Sequence, residues 1–127
     1  MLSAVNRLRL TAEFRSVVHS HIRVGRHTLV IYAAVDNKSP SQIGFIVSKA
    51  VGGAVTRNRV KRQLRHLVRN ELSVADPCAH IVVRALWAAA NENEKLANDL
   101  HTAWKQVVRR LEKANNTVSM KNVGVAL

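Results

Sequence analysis

Residues 55–72 constrain the fold of this chain more than any other stretch, because they are apolar at helical spacing and carry six Lys and Arg on the remaining positions. At about 100° per residue, Val60, Leu64, Leu67 and Val68 fall on one arc of a helix. Asn58, Lys61, Arg62, Arg65 and Arg69 fall on the opposite side, with Arg57 on the flank. Such a helix must bury its apolar arc against another element while its charged arc faces outward. Arg57, Lys61, Arg65 and Arg69 are spaced by four, so neighbouring cations repel by roughly 0.2–0.5 kcal/mol per pair in an isolated helix. Anionic oxygens lying across the row would offset that cost. Arginine forks match phosphate oxygens two at a time, Lys61 adds a mobile point charge, and Asn58 offers both donors and an acceptor.

The elements that cover the apolar arc are readable in outline. Thr11 caps a short helix predicted over 11–20, with Glu13 in its first turn and Phe14, Val17 and Val18 at helical spacing. Residues 28–35, Thr-Leu-Val-Ile-Tyr-Ala-Ala-Val, form a β-rich run. Asp-Asn-Lys-Ser-Pro at 36–40 reads as a turn, and 42–49 as a second strand, so the two runs are expected to pair as a hairpin. Gly25 and the basic residues around it suggest a loop or a short extra strand before them. Gly52-Gly53 closes the strand region, and Asp76-Pro77 ends the long helix. Residues 79–86 read as a further strand. A last helix over 92–114 sets Leu96, Leu100, Ala103, Val107 and Leu111 on one face, while 115–127 has no clear periodicity and is expected to be a loosely ordered tail. The fold class is α+β, a single domain over 1–114 with helices packed on a small sheet.

Charge narrows the function. The chain carries a formal net charge of +12, and the first 70 residues hold 13 Lys and Arg against Glu13 and Asp36 alone. From 37 to 70 no acid appears at all. Folding does not require such an imbalance, because like charges repel. A polyanion that sheds its counterions on binding would use it, and nucleic acid is the leading candidate. A solubilising basic surface is the plainer alternative. No apolar run spans a bilayer, the N-terminus lacks the apolar core of a secretory signal, and Cys78 stands alone, which suits a reducing cytoplasm.

Other chemistries are less well supported. His19, His21 and His27 could cleave RNA by acid–base chemistry, but no lysine or carboxylate pairs with them at a defined spacing. Cys78 and His80 supply two metal ligands where a structural zinc needs four. Glu92, Glu94 and Asp99 read as a solvated helix face, and Trp87 and Trp104 as core or core-edge residues. A ribosome-associated or DNA-binding protein and a free-standing nuclease are the competing classes.

Residues 47–65, Val-Ser-Lys-Ala-Val-Gly-Gly-Ala-Val-Thr followed by Arg-Asn-Arg-Val-Lys-Arg-Gln-Leu-Arg, resemble the signature of the bacterial ribonuclease P protein family. Arg57, Asn58, Lys61, Arg62 and Arg65 match its most characteristic positions. Arg7-Leu8-Arg9 with Glu13-Phe14-Arg15, Leu29 to Tyr32, Gly44 to Lys49 and Ile81 to Arg84 also resemble the family, in the right order over about 6–112.

The resemblance implies an α-β-β-β-α-β-α order with a left-handed crossover, which nothing in the sequence itself indicates. It implies a catalytic-RNA-binding surface of Lys49, Arg57, Asn58, Arg59, Lys61, Arg62, Arg65 and Arg69. It also implies a cleft for the single-stranded 5′ leader of precursor tRNA, built from Phe14, Val18, Tyr32 and Ser48. Catalysis would rest with Mg²⁺ bound mainly by the RNA partner, with no metal and no active site in the protein, and no membrane or obligate protein partner. Two positions depart from the family pattern: Val18 where a second Phe is common, and Ala50 where some members carry Lys. Val cannot stack on a base, so Tyr32 and polar neighbours would carry more of the leader.

Overall fold

A computed structural model describes Val17, residues 22–35 and residues 41–126, with side chains described as far as 114. The predicted helix over 11–20 lies outside the described residues except for Val17, which is helical and fully buried. The turn at 36–40 lies outside them as well.

Four strands form one mixed sheet: β1 (Ile22–Gly25), β2 (Leu29–Val35), β3 (Gln42–Ile46) and β4 (Ala79–Ala85), in the order β1-β2-β4-β3. β1 and β4 flank β2 antiparallel, and β3 runs parallel to β4. The long amphipathic helix α1 (Ala54–Val74) makes the crossover between those parallel strands. After β4 come a single turn α2 (Ala88–Asn91), a 3₁₀ turn (Asn93–Lys95) and the helix α3 (Leu96–Ala126).

The expected hairpin between 28–35 and 42–49 does not form, because β4 inserts between them. Ala79, Ile81, Val83 and Ala85 on one face of β4 are buried, as is Val82 at the centre of the other, so β4 belongs in the middle of the sheet. Burial of that strand outweighs the closeness in sequence of β2 and β3. The second run also stops short, at Ile46. Ser48 to Val51 then turn through Val51 N–H to Ser48 O (3.0 Å) and Gly52 N–H to Lys49 O (3.2 Å). Gly52 has φ of +156°, and a Cβ there would come within 3.0 Å of Thr56 Cγ2, so glycine suits this entry into α1.

One sheet face is closed by helices. Leu29, Ile31, Ile43, Ile81 and Val83 pack with Val60, Leu64 and Val68 of α1 and with Leu96, Leu100, Val107 and Leu111 of α3. Trp104 is 3% exposed and lies in this core, as expected, whereas Trp87 is 61% exposed. Trp87 sits where the chain leaves the sheet for α2, its backbone carbonyl accepts from Asn91 Nδ2 at 3.0 Å, and its side chain stays in solvent.

The last helix is broken rather than continuous from 92. Glu92 (φ −131°, ψ 51°) leaves helical geometry, and Asn93 exchanges hydrogen bonds with Gln63 of α1 at 3.0 and 2.8 Å. The helix then runs to Ala126, through positions where the sequence carries no clear periodicity.

Two carboxylates stitch the loops together. Asp99, expected on a solvated face, is 7% exposed and accepts from Thr28 N–H (3.0 Å) and Thr28 Oγ1 (2.8 Å), with Arg26 Nε at 3.8 Å. Asp76 accepts from Ser41 N–H, Ser41 Oγ and Cys78 N–H. Ser41 Oγ in turn accepts from Ala79 N–H at 3.0 Å, which joins the starts of β3 and β4.

Candidate nucleic-acid interface

The basic arc of α1 faces outward. Asn58, Arg59, Arg62 and Arg69 are exposed, and Arg57, Lys61 and Arg65 are half-buried. A spacing of four drifts by about 40° per step, so the row Arg57, Lys61, Arg65, Arg69 winds from the edge of the buried arc to the solvent pole. That drift explains why Arg57 Nε is buried without a hydrogen-bond partner. Among the described residues, none of these six cations forms an ion pair with an acid. Glu71 and Glu92 are engaged elsewhere: Glu71 with His101 Nδ1 at 2.6 Å, Glu92 with His27 and with Lys95 Nζ at 2.8 Å. The Lys95 and His27 hydrogen bonds hold the Glu92 carboxyl below the ordinary glutamate value, and Glu92 in turn raises Lys95. Ser48 and Lys49 are exposed in the turn that precedes α1.

The second sheet face is different. Alternation along the strands lines up Arg23, Tyr32, Val82 and Gly44 in one row, with Val30, Arg84 and Ile46 in the next. Val17, Val30, Tyr32 and Val82 form a buried cluster there. Tyr32 is 6% exposed, and the guanidinium carbon of Arg23 lies 5.8 Å from its ring centroid, within cation–π range. Arg23 and Arg84 are exposed. The structure therefore groups Tyr32 with two arginines that sequence reasoning did not single out as site residues. Strand alternation puts Arg84 on the same face as Val82, but only the β1–β2 register brings Arg23 to Tyr32. Ser48 lies two residues past the end of β3, and Phe14 and Val18 lie outside the described residues.

Among the described residues, no three His, Cys, Asp or Glu side chains converge on a point that could hold a metal ion. Asp76 and Asp99 are committed to backbone and hydroxyl donors, so these residues do not suit a protein-held Mg²⁺. His27 is bonded to Glu92, while His19 and His21 lie outside the described residues. Among the described residues, Cys78, half-buried with φ of 55°, and His80 have no third ligand beside them. Among the described residues no helix is long and apolar enough to cross a membrane.

A small mixed sheet, closed on one side by helices and carrying a cationic helix face with no acid partner among the described residues, defines an α+β protein of the polyanion-binding class. Residues 2–108 match the family described as Ribonuclease P, and the chain belongs to that family. It is 49% identical over 104 residues to the ribonuclease P protein component of Nocardioides sp., covering 79% of this chain and 89% of that one. It is 41% identical over 118 residues to the component from Streptomyces avermitilis, covering 85% and 96%. The Staphylococcus aureus RNase P protein structure superposes with a TM-score of 0.71 at 25% identity, over 79% of this chain and 93% of that one. The RNase P protein from Thermotoga maritima shares the fold, with a TM-score of 0.70 at 24% identity over 79% and 96%.

Proposed function

We propose that this chain is the protein subunit of ribonuclease P, the ribonucleoprotein endonuclease that matures the 5′ end of tRNA, with the catalytic centre in its RNA partner. The observation that carries the reading is the outward cationic face of α1, which has no acid partner among the described residues, in a chain of this family. Lys49, Arg57, Asn58, Arg59, Lys61, Arg62, Arg65 and Arg69 contact the phosphates of the catalytic RNA. Tyr32, Arg23 and Arg84, together with Phe14, Val18 and Ser48, receive the unpaired 5′ leader of precursor tRNA. Because Tyr32 is largely covered, the arginines carry more of the leader contact than ring stacking does.

Residues 1–114 form one ribonuclease P protein-like domain with 115–127 beyond it, and the subunit works in the cytoplasm. The protein neutralises phosphate, stabilises the RNA fold and holds the leader. Mg²⁺ belongs to the RNA.

The test mixes purified protein with precursor tRNA at low Mg²⁺, with and without the catalytic RNA. Cleavage at the mature 5′ end only when both are present is the expected result. Cleavage by protein alone would make the chain a free-standing nuclease, and tight binding to ribosomal RNA or duplex DNA with no effect on tRNA ends would make it a ribosomal or DNA-binding protein. In the same system, Arg57→Ala/Lys61→Ala/Arg65→Ala should lower the salt slope of holoenzyme assembly by about two to three, one counterion per lost phosphate contact. An unchanged slope removes α1 from the RNA interface.

A further inference from the structure

We propose that the outer face of α3 extends the leader surface around the β1 edge of the sheet and holds the phosphate backbone of the leader's more distant 5′ portion. The inference rests on the leader reading above. Lys105, Arg109 and Lys113 repeat every four residues along the exposed side of α3, rising about 12 Å from first to last. An open hollow of about 470 Å³ lies against Gln106, Arg109, Arg110, Glu112 and Lys113, with Glu112 its one described carboxylate.

Arg110 connects this face to the other side of the sheet. Its Nη1 donates to the carbonyl oxygen of Arg23 at 2.8 Å, across the outer edge of strand β1. The Arg23 side chain lies over Tyr32 on the opposite sheet face. Lys105 and Arg109 on one side, Arg110 at the edge, and Arg23 and Arg84 on the far side therefore make one belt of positive charge.

The helix dipole does not account for the row. Cations favour the last turn of a helix, whereas α3 continues to Ala126 with no basic residue in its last turn. Among the described residues neither Lys105 nor Arg109 has an ion-pair partner, and at spacing of four they repel each other. A phosphodiester backbone supplies the missing anions, and guanidinium groups match its oxygens. The belt bends around a single edge strand, a path that a stiff duplex with a persistence length of about 150 base pairs cannot follow. Single-stranded RNA can.

The experiment uses the reconstituted holoenzyme with mature tRNA and with precursor tRNAs of short and long leader. For the wild type, lengthening the leader should tighten binding at low salt. Lys105→Ala/Arg109→Ala should abolish most of that gain, leave short-leader and mature tRNA binding unchanged, and lower the long-leader salt slope by about 1.4, at about 0.7 per contact for single strands. Lys105→Arg/Arg109→Lys should restore the gain. An undiminished gain in the alanine variant overturns the proposal, and so does a wild type indifferent to leader length. Equal losses on all three substrates also overturn it, because the cations would then serve the tRNA body or the catalytic RNA. A wild-type holoenzyme that binds precursor and mature tRNA alike would instead sink the leader reading underneath.

Discussion

The two faces of the sheet are made from alternate residues of the same strands, yet they carry different tasks. On one face Leu29, Ile31, Ile81 and Val83 pack with the apolar arcs of α1 and α3. On the other, Tyr32 and Val82 sit beside exposed Arg23 and Arg84. The first face fixes the fold, and the second spends part of its area on charges that do nothing for packing. The contrast teaches that a strand can hold an exposed polar row rigid because its neighbouring residues, one step along, are locked into a core.

The comparison breaks most easily at α1. Leu64 is fully buried, and Leu64→Ala should cost about 2–5 kcal/mol in a denaturant titration through lost transfer energy and a residual cavity. The folded fraction should still prefer precursor over mature tRNA. A changed preference would mean that the two faces are not separable.

Asp99→Asn should cost about 1–3 kcal/mol, because a charged acceptor for both Thr28 donors is replaced by a neutral one and the pairing is weakened at a buried site. Thermal unfolding measures it, and an unaltered melting temperature would show that the β1–β2 turn does not need this tie.

On the other face, Arg23→Ala with Arg84→Ala should weaken precursor binding several-fold while sparing mature tRNA. Equal losses on both substrates would take these arginines out of the leader site.

The smallest effect concerns pH. Burial pushes the Asp76 carboxyl up, but hydrogen bonds from the Ser41 hydroxyl and from the Cys78 and Ser41 N–H groups outweigh it and hold the carboxyl below its ordinary value of 3.8. A depressed folded value means that Asp76 stabilises the fold fully above 3.8 and loses that contribution as pH falls through the folded value. Wild type should therefore lose more stability than Asp76→Asn between pH 5 and acid, a difference checked by melting curves at each pH. Parallel curves would show that Asp76 does not tie the β3 and β4 starts together.

The long helix, its apolar and basic arcs and the run that became β4 were legible in the sequence because each depends on local periodicity. The family signature at 47–65 was legible for the same reason: its residues are contiguous. The row Arg57 to Arg69 and its drift could be read from spacing, although the burial of Arg57 Nε needed the packed helix to be seen.

Tertiary structure alone decided the rest. Strand order cannot be read from strand identity, since β4 takes the central place by burying one whole face and Val82 of the other, while β2 and β3 are merely adjacent in sequence. Asp99 looks like any helix-surface acid until the β1–β2 turn delivers Thr28 to it, 71 residues away. Trp87 is the kind of side chain that a core takes, and only its place between β4 and α2 leaves it exposed. Periodicity reports which side of an element seeks water, but which partner meets that side depends on contacts between segments far apart in the chain.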